Sequence, residues 1–349
     1  MASSAMRPAD LDRLLAALVV ALAATGLVSL RAGAPSTGWL FVLHGLLAGA
    51  LGITTVLKLA QSVPAAAGRR RWARLAIAAP VSLLVVAALA GGWLWVASGR
   101  LLWVDAGILG RWTVLTLHAW AGLVLLPFLA IHLLPGRWRL LRPRRAGLGT
   151  AGPRRLERRA LVAGGLLAVG ALGLTVVVAG ADRLFGGIRR FTGSRWLPAG
   201  GVPPPTTFFG EAAPPIDPGA WRLRISEGSG TVAELDLEML RTLGEVERIA
   251  VLDCTSGWAI ETAWRGVSLG SALVAAGLSV EPGARRGVVV RSVTGWAATV
   301  PAAEIDAALL AWSVAGEDLP AANGAPLRLV LPDHRGLDWV KWVASIEVS

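Results

Sequence analysis

The first half of the chain is dominated by five long runs of apolar residues separated by short polar or arginine-rich stretches. A helix that spans a bilayer needs about 20 mostly apolar residues, and each of the five runs is long enough. They cover residues 11–31, 37–60, 74–97, 111–134 and 160–181. We therefore predict an all-α membrane bundle of five transmembrane helices over residues 1–182.

The second half has a different pattern, in which short stretches of alternating apolar and polar positions are bounded by glycine and proline, as in strands. The predicted strands are 220–225, 248–253, 286–293, 325–331 and 339–348, and the predicted helices are 235–243, 267–277 and 302–311. Proline-rich turn signals mark residues 183–204 as a linker. The pattern predicts a strand-rich α+β domain over residues 205–349.

Composition and charge support this division. The chain is 54% hydrophobic and only 16% charged, which is not the composition of an ordinary soluble protein. Much of the net charge of +11 comes from arginines in the loops after the second and fourth apolar runs. These are Arg69, Arg70, Arg71, Arg74, Arg137, Arg139, Arg142, Arg144, Arg145, Arg154, Arg155, Arg158 and Arg159.

Arginine-rich loops of this kind are typical of the cytoplasmic side of a membrane protein. We therefore predict a multi-pass protein of the cell membrane with a cytoplasmic N-terminus and an extracytoplasmic C-terminal domain. Because these arginines lie in loops between the apolar runs, we expect them to face the lipid bilayer, and we do not expect the protein to bind nucleic acid.

Ionisable residues inside spans are costly and usually functional, and here they lie on the second and fourth runs. His118 and His132 are 14 positions apart, which places them on nearly one helix face and about 21 Å apart along the axis. His44 and Lys58 have the same spacing. Because the two helices run in the same direction, His44 is level with His118, and Lys58 is level with His132.

Two imidazoles at one depth on facing helices can supply both axial ligands of a haem iron. The arrangement resembles that of bis-histidine membrane cytochromes b, and this resemblance implies a haem b held by His44 and His118. The inner level has Lys58 where a second histidine is expected, so a second haem at His132 is an alternative. Another alternative is that the histidines only form hydrogen bonds inside the bundle and that Lys58 reaches the lipid headgroups.

The strand-rich half contains three blocks whose order and spacing are specific. The chain has a single cysteine, so no intrachain disulfide forms, and this residue begins the first block, Cys254-Thr255-Ser256-Gly257-Trp258, followed by Trp264-Arg265-Gly266-Val267. The second block runs from Asn323 to Leu329 and continues at Lys341-Trp342-Val343. The third lies upstream, at Phe208-Phe209-Gly210 and Trp221-Arg222-Leu223. Together they resemble the sulfite oxidase superfamily of molybdopterin enzymes, especially its small periplasmic bacterial branch, over residues 205–349.

This resemblance implies a molybdenum ion held by Cys254 and by the dithiolene of one molybdopterin, and a thiolate is a ligand type that suits such a metal. The cofactor's phosphate needs cationic and amide donors. The implied cofactor contacts are Phe208, Phe209, Ser292, Asn323, Arg328, Trp339, Val340 and Lys341.

The predicted function is oxygen-atom transfer on a small oxo-substrate, with electrons exchanged through haem b and the quinone pool. The chain has no tyrosine and no charge at Thr255 to Trp258, both of which depart from sulfite oxidases. A neutral S-oxide or N-oxide also suits the aromatic entrance expected from Trp258, Trp264 and Trp296. Two alternatives stay open: a haem-free anchor served by a soluble electron partner, and a non-catalytic interaction module on a degenerate fold.

Arg158 and Arg159 directly precede the fifth apolar run, in the arrangement of a twin-arginine export signal. We predict that they export the C-terminal domain in its folded form. The alternative is that they only enforce the cytoplasmic position of their loop.

Overall fold

A computed structural model describes residues 8–68, 72–105, 107, 111–133, 158–185, 187–206, 210–228, 230–280, 283 and 287–348. The chain divides into two compact units, one helical and one rich in strands. Most of the arginines in the two loops lie outside the described residues.

The helical unit contains five long helices within the described part of the chain. They are α1 (Pro8–Ser29), α2 (Gly38–Gly68), α3 (Trp72–Ala97), α4 (Val114–Leu133) and α5 (Arg158–Phe185). Each includes a stretch long and apolar enough to cross a membrane. On α5, large apolar side chains such as Leu166 and Val169 are about 70% exposed, which suits a helix surface that faces lipid. The predicted fold class of this half is confirmed.

Helix α1 packs against α2 and α4, and α3 packs against the same two helices, while α5 packs against α2 and α3. Helices α2 and α4 therefore lie diagonally across a four-helix arrangement. Its apolar core includes Leu18 and Val19 of α1, Leu51 of α2 and Leu125 of α4. This arrangement directs one face of α2 and one face of α4 toward the interior of the bundle.

The strand-rich unit contains two larger sheets and one hairpin. The five-stranded sheet has the order β5-β4-β13-β8-β9, with β4 (Leu223–Glu227), β5 (Gly230–Leu235), β8 (Val288–Ser292), β9 (Ala297–Val300) and β13 (Val343–Val348). The hairpin pairs β1 (Trp103–Asp105) with β2 (Arg111–Thr113).

The six-stranded sheet has the order β11-β10-β7-β3, with β12 beside β10 and β6 beside β7. Its strands are β3 (Arg195–Trp196), β6 (Val246–Cys254), β7 (Trp258–Ser268), β10 (Leu309–Val314), β11 (Glu317–Asp318) and β12 (Arg328–Val330). Two short helices, α6 (Leu237–Thr242) and α7 (Leu269–Ala275), complete the unit. The strand-rich α+β prediction is confirmed.

The hairpin formed by β6 and β7 matters most for function. Its last registered pair joins Cys254 to Trp258, and the Gly257 amide donates to the Cys254 carbonyl at 2.9 Å. Gly257 has a φ of +93°, a conformation that glycine adopts without a steric penalty. Residues Cys254–Gly257 therefore form a tight turn that joins the two long strands.

One predicted element is wrong. The helix predicted over residues 302–311 is a single 3₁₀ turn, Ala302–Glu304, followed by the buried strand β10. A short apolar run such as that of Leu309–Val314 is compatible with a buried strand or a buried helix, and periodicity does not separate the two.

Three segments that precede the predicted C-terminal domain also belong to the strand-rich unit. They are the loops 30–37 and 103–113 and the stretch from Ile188 onward, which includes most of the predicted linker.

Candidate functional site

The Cys254 thiol lies at the wall of a cavity of about 90 Å³ in the strand-rich unit. The Thr206 hydroxyl is 3.2 Å from its sulfur, and the Ser256 amide donates to the same sulfur at 3.4 Å. The cavity is lined by Pro204, Thr206, Glu211, Leu252, Cys254, Thr255, Trp258, Ser292, Thr294, Trp296, Arg328, Gly336, Leu337, Trp339, Lys341 and Trp342. A half-buried thiol thus faces a space bounded by aromatic rings, hydroxyls and two cations.

Arg328 is the more deeply buried of the two cations, at 3% exposure. Its guanidinium donates to the Asn323 carbonyl at 2.8 Å and lies 5.3 Å from the ring centre of Trp264 and 5.9 Å from that of Trp339. Burial lowers the pKa of Arg328 to about 10, against the opposing effect of Cys254. Arg328 is therefore a fixed positive charge at neutral pH.

Lys341 is the second cation. Its ammonium nitrogen donates to the carbonyls of Thr206 at 3.1 Å and Ala322 at 2.7 Å. Burial, followed by repulsion from Arg328, lowers the pKa of Lys341 to about 7, although Cys254 and Glu211 act in the opposite direction. Lys341 is therefore poised to hold or release a proton at its Nζ atom near neutral pH.

Several buried donors on residues that line the cavity lack an acceptor in the described part of the chain. They are Nε1 of Trp258, Nε1 of Trp339 and Nε of Arg328. A buried donor left without an acceptor costs about 1–3 kcal/mol, and native proteins rarely collect several at one place. The cavity wall therefore suits a ligand that is rich in acceptors and carries negative charge.

A family of known proteins matches the part of the chain that supplies most of the residues lining this cavity. Residues 211–349 match the model of the oxidoreductase molybdopterin binding domain. These residues are thus similar to that family. The match confirms the sulfite-oxidase-type resemblance carried by the Cys254 and Lys341 blocks, and residues 211–349 are called the molybdopterin domain below.

Curated relatives are similar over part of the chain. The chain is 32% identical over 152 residues to the protein-methionine-sulfoxide reductase catalytic subunit MsrP of Xanthomonas campestris pv. campestris, covering 39% of the chain and 47% of that protein. It is 31% identical to the MsrP of Xanthomonas axonopodis pv. citri, again over 152 residues that cover 39% of the chain and 47% of that protein. The chain thus spans about half the length of these relatives.

A shorter match and a solved structure complete the comparison. The chain is 54% identical over 41 residues to the NADPH nitrate reductase of Mycosarcoma maydis, covering 12% of the chain and 4% of that protein. The sulfane dehydrogenase SoxCD of Paracoccus pantotrophus is 23% identical with a TM-score of 0.35, over 39% of this chain and 40% of that one.

A fully buried carboxylate lies directly behind the candidate ligand in the molybdopterin domain. Asp253 accepts hydrogen bonds from Arg190 at 2.9 Å, Thr192 at 2.7 Å, Ser194 at 2.6 Å and Arg335 at 3.3 Å. Arg335 also donates to the Cys254 carbonyl at 3.2 Å. This cluster holds the backbone on which the thiol is mounted.

The predicted cofactor contacts differ in where they lie. Cys254, Ser292, Arg328, Trp339 and Lys341 line the cavity. Phe208 and Phe209 lie outside the described residues.

Asn323 and Val340 are buried but do not line the cavity. The Asn323 amide donates to the Pro203 carbonyl at 2.9 Å, and the Val340 carbonyl accepts from the Leu329 amide at 2.8 Å. In the structure, these groups brace the loops around Arg328 and Lys341.

The aromatic wall also differs in part from the sequence-based expectation. Trp258 and Trp296 line the cavity as expected, whereas Trp264 is completely buried beneath Arg328. Sequence reasoning did not assign four of the polar or aromatic lining residues to the site. They are Thr206, Glu211, Thr294 and Trp342. A tryptophan beside the Lys341 motif was visible in the sequence, but nothing marked the other three.

The helical unit brings together the two histidines that were predicted to be level. The ring centres of His44 and His118 are 6.1 Å apart. Nδ1 of His44 is 2.8 Å from the Thr25 hydroxyl, and Nδ1 of His118 is 2.7 Å from the Ala88 carbonyl. At the other level, Lys58 forms an ion pair with Asp12 of α1. The Lys58 ammonium therefore has a carboxylate partner within the protein.

Proposed function

We propose that this chain is a membrane-bound molybdopterin-dependent oxidoreductase that transfers an oxygen atom on a small S-oxide at an extracytoplasmic site. The observation that carries the proposal is the Cys254 thiol, which lies at a cavity wall containing two buried cations and several unsatisfied donors. A soft thiolate beside anion-binding groups suits molybdenum and the phosphate-bearing cofactor better than it suits a purely structural role.

The residues present fit the cofactor. Cys254 would bind the metal, Arg328 and Lys341 would neutralise the phosphate, and Trp258 and Trp339 would donate to acceptors of the pterin. When bound, the cofactor supplies two-electron oxygen-atom transfer. With Cys254 as a thiolate, the sulfur carries no proton, so the Thr206 hydroxyl becomes the donor of their 3.2 Å contact. Hydrogen bonds to a ligating sulfur orient it and tune the metal.

The substrate proposal follows from the lining residues that are not assigned to the cofactor. Arg328 and Lys341 are the cations among the described lining residues, and both are assigned to the cofactor. The rest of the wall has hydroxyls, indole rings and the carboxylate of Glu211. Such a wall suits a neutral S-oxide better than the sulfite anion, and the similarity to methionine-sulfoxide reductases points the same way. Reduction of an S-oxide takes up two electrons and two protons and gives a sulfide and water.

Protons for this reaction need a titratable group near the substrate. Lys341 lines the cavity, and its ammonium group releases one proton with a pKa of about 7. The carboxylate of Glu211, on the same wall, raises the pKa of Lys341 against the effect of burial. We infer that this pair holds a proton at the cavity at neutral pH.

We propose that His44 and His118 would hold a haem b, which would supply one-electron exchange with the quinone pool when bound. An imidazole nitrogen lies about 2 Å from a metal that it binds. Adding a ring radius of about 1 Å on each side places the two ring centres about 6 Å apart, close to the observed 6.1 Å. The Nδ1 contacts with Thr25 and Ala88 leave each Nε2 as the atom directed to a metal, the usual arrangement for a ligating histidine.

Two glycines that lie near these histidines along α2 and α4 have open space beside them. A Cβ atom added at Gly45 or Gly122 would meet nothing within 4 Å among the described residues. Gly49 and Gly52 are packed against Ala171 and Trp93 instead. A second haem at His132 is not proposed, because the level partner, Lys58, is paired with Asp12.

The sidedness proposal rests on the arginine-rich loops, which favour a cytoplasmic N-terminus and an extracytoplasmic molybdopterin domain. Arg158 and Arg159 begin α5, and we propose that they act as a twin-arginine export signal. Replacing both by lysine is expected to leave the C-terminal domain inside, as read by protease protection in spheroplasts. Normal export of that variant would overturn this part of the proposal.

Metal analysis of detergent-purified protein tests the molybdenum site. Wild-type protein is expected to contain stoichiometric molybdenum, which Cys254→Ser should lose together with S-oxide reductase activity. The control is Ser313→Ala, because Ser313 is a buried residue of β10 that donates to the Glu317 carbonyl and does not line the cavity. If wild-type protein from a host that makes the cofactor contains no molybdenum, the proposal is wrong, and the alternative of a membrane-tethered interaction module is favoured.

A pyridine haemochrome spectrum of the same preparations tests the haem. His44→Ala and His118→Ala are each expected to abolish the signal, while His132→Ala and His334→Ala should retain it. Wild-type protein without haem would favour the haem-free anchor with a soluble electron partner.

A further inference from the structure

Two loops that connect long helices in sequence belong to the strand-rich unit. Residues 30–37 link α1 to α2, and residues 103–113 link α3 to α4. Each loop makes a polar contact with the segment around Cys254 or with a residue that binds that segment.

The first contact is made by Thr113, the last residue of β2, which is 1% exposed. Its hydroxyl donates to the Ser256 carbonyl at 2.8 Å, across 143 positions of sequence. Ser256 lies inside the Cys254–Gly257 turn, and its own amide donates to the Cys254 sulfur at 3.4 Å. Thr113 therefore holds the residue that contacts the sulfur.

The second contact involves Gly33. Its carbonyl accepts from Arg190 at 3.2 Å, and another nitrogen of Arg190 donates to Asp253 at 2.9 Å. A Cβ atom at Gly33 would lie 2.6 Å from the Asp333 carbonyl oxygen and 2.8 Å from the Arg335 amide nitrogen. Only glycine allows so close an approach of two backbones.

We propose that Thr113 and Gly33 are positioning residues for Cys254, so that the two helix-connecting loops form part of the metal site. The loops hold the turn from two directions, Thr113 through Ser256 and Gly33 through Arg190 and Asp253. The inference rests on the proposed function only in treating Cys254 as the metal ligand. A chain whose first half served only as an anchor would not need either contact.

Thr113→Val tests the first contact, since valine keeps the shape of threonine and removes the hydroxyl. Two measurements are made on the full-length protein in detergent: amide hydrogen exchange in peptides covering residues 254–258, and the electron paramagnetic resonance signal of Mo(V). We expect several-fold faster exchange and a shifted signal. Thr113→Ser, which keeps the hydroxyl, should restore both.

The matched control is Thr242→Val, because Thr242 donates to the Met239 carbonyl at the surface of the same unit and should change neither reading. Gly33→Ala, compared with Gly230→Ala on an open strand position, provides a second variant pair should the valine protein not fold. Unchanged exchange and an unchanged Mo(V) signal in folded Thr113→Val or Gly33→Ala protein would overturn the proposal. Amide hydrogen exchange can be measured on protein that contains no metal. A wild-type protein without molybdenum would therefore refute the proposed function, but the exchange measurement would still test the role of the two loops.

Discussion

Replacing Asp253 by asparagine tests the charge cluster behind Cys254. The substitution keeps the shape of the side chain but removes its charge, leaving Arg190 and Arg335 without their carboxylate; their side chains are 12% and 4% exposed. Removing one partner of a buried ion pair costs about 3–5 kcal/mol, because the remaining charge stays buried. For a domain of this size, 1 kcal/mol corresponds to about 2–4 °C in Tm, so we expect a loss of about 6–20 °C.

The assay is differential scanning calorimetry of the detergent-solubilised protein, with Glu347→Gln as the matched control. Glu347 pairs with Arg291 at 3.3 Å, but their side chains are 40% and 48% exposed. Exposed pairs of this kind contribute about 0–1 kcal/mol, so the control should fall by no more than about 4 °C. If the Tm of Asp253→Asn falls by no more than that of the control, then the carboxylate does not stabilise the two buried arginines and the predicted loss is wrong.

Two further predictions concern pH. The pKa of Lys341 is lowered from 10.5 to about 7, so between these values the unfolded chain binds a proton that the folded chain lacks. The stability of the metal-free protein should therefore rise with pH across that window, and Lys341→Met should flatten the rise in unfolding midpoints. The pKa of His334 is raised above 6.5, first by its hydrogen bond to Asp338 and also by Glu304. The stabilisation that protonated His334 contributes should be complete below pH 6.5 and should be lost as the pH rises through the raised pKa of the folded state. The Tm difference between wild type and His334→Gln should therefore shrink as the pH is raised.

The helical half could be predicted from sequence because helix geometry is regular over long distances. A rotation of about 100° and a rise of about 1.5 Å per residue fix the depth of His44 and His118 once the direction of each span is known. The structure brings the two rings together at 6.1 Å. The ion pair between Lys58 and Asp12 was not predicted, because the two residues lie on different helices and nothing in the local sequence pairs them.

The strand-rich half was harder to predict, because its elements are short and its contacts join distant positions. Residues 309–314 form a central strand whose six residues are all buried, and its single polar residue, Ser313, is not enough to reveal a period of two. Cys254, Arg328 and Lys341 were predicted because their residue types match metal and anion chemistry in a family pattern, and all three line the cavity. The same pattern pointed to Asn323 and Val340; in the structure the Asn323 amide donates to the Pro203 carbonyl, and the Val340 carbonyl accepts from the Leu329 amide.

Thr206 and Thr113 illustrate why the remaining site residues could not be predicted. Each acts through a hydroxyl, Thr206 on the sulfur of Cys254 and Thr113 on the carbonyl of Ser256. A hydroxyl is common along any chain, and a backbone carbonyl is present at every residue, so neither residue type marks the contact. The partners are separated by 48 and 143 positions, distances over which local patterns carry no information. What distinguishes these threonines is only that folding brings them to the turn that carries the thiol, and both contacts tie that turn to segments outside residues 211–349. A family pattern restricted to those residues therefore points to the proposed ligand and cations but omits the two threonines that contact the same turn from outside.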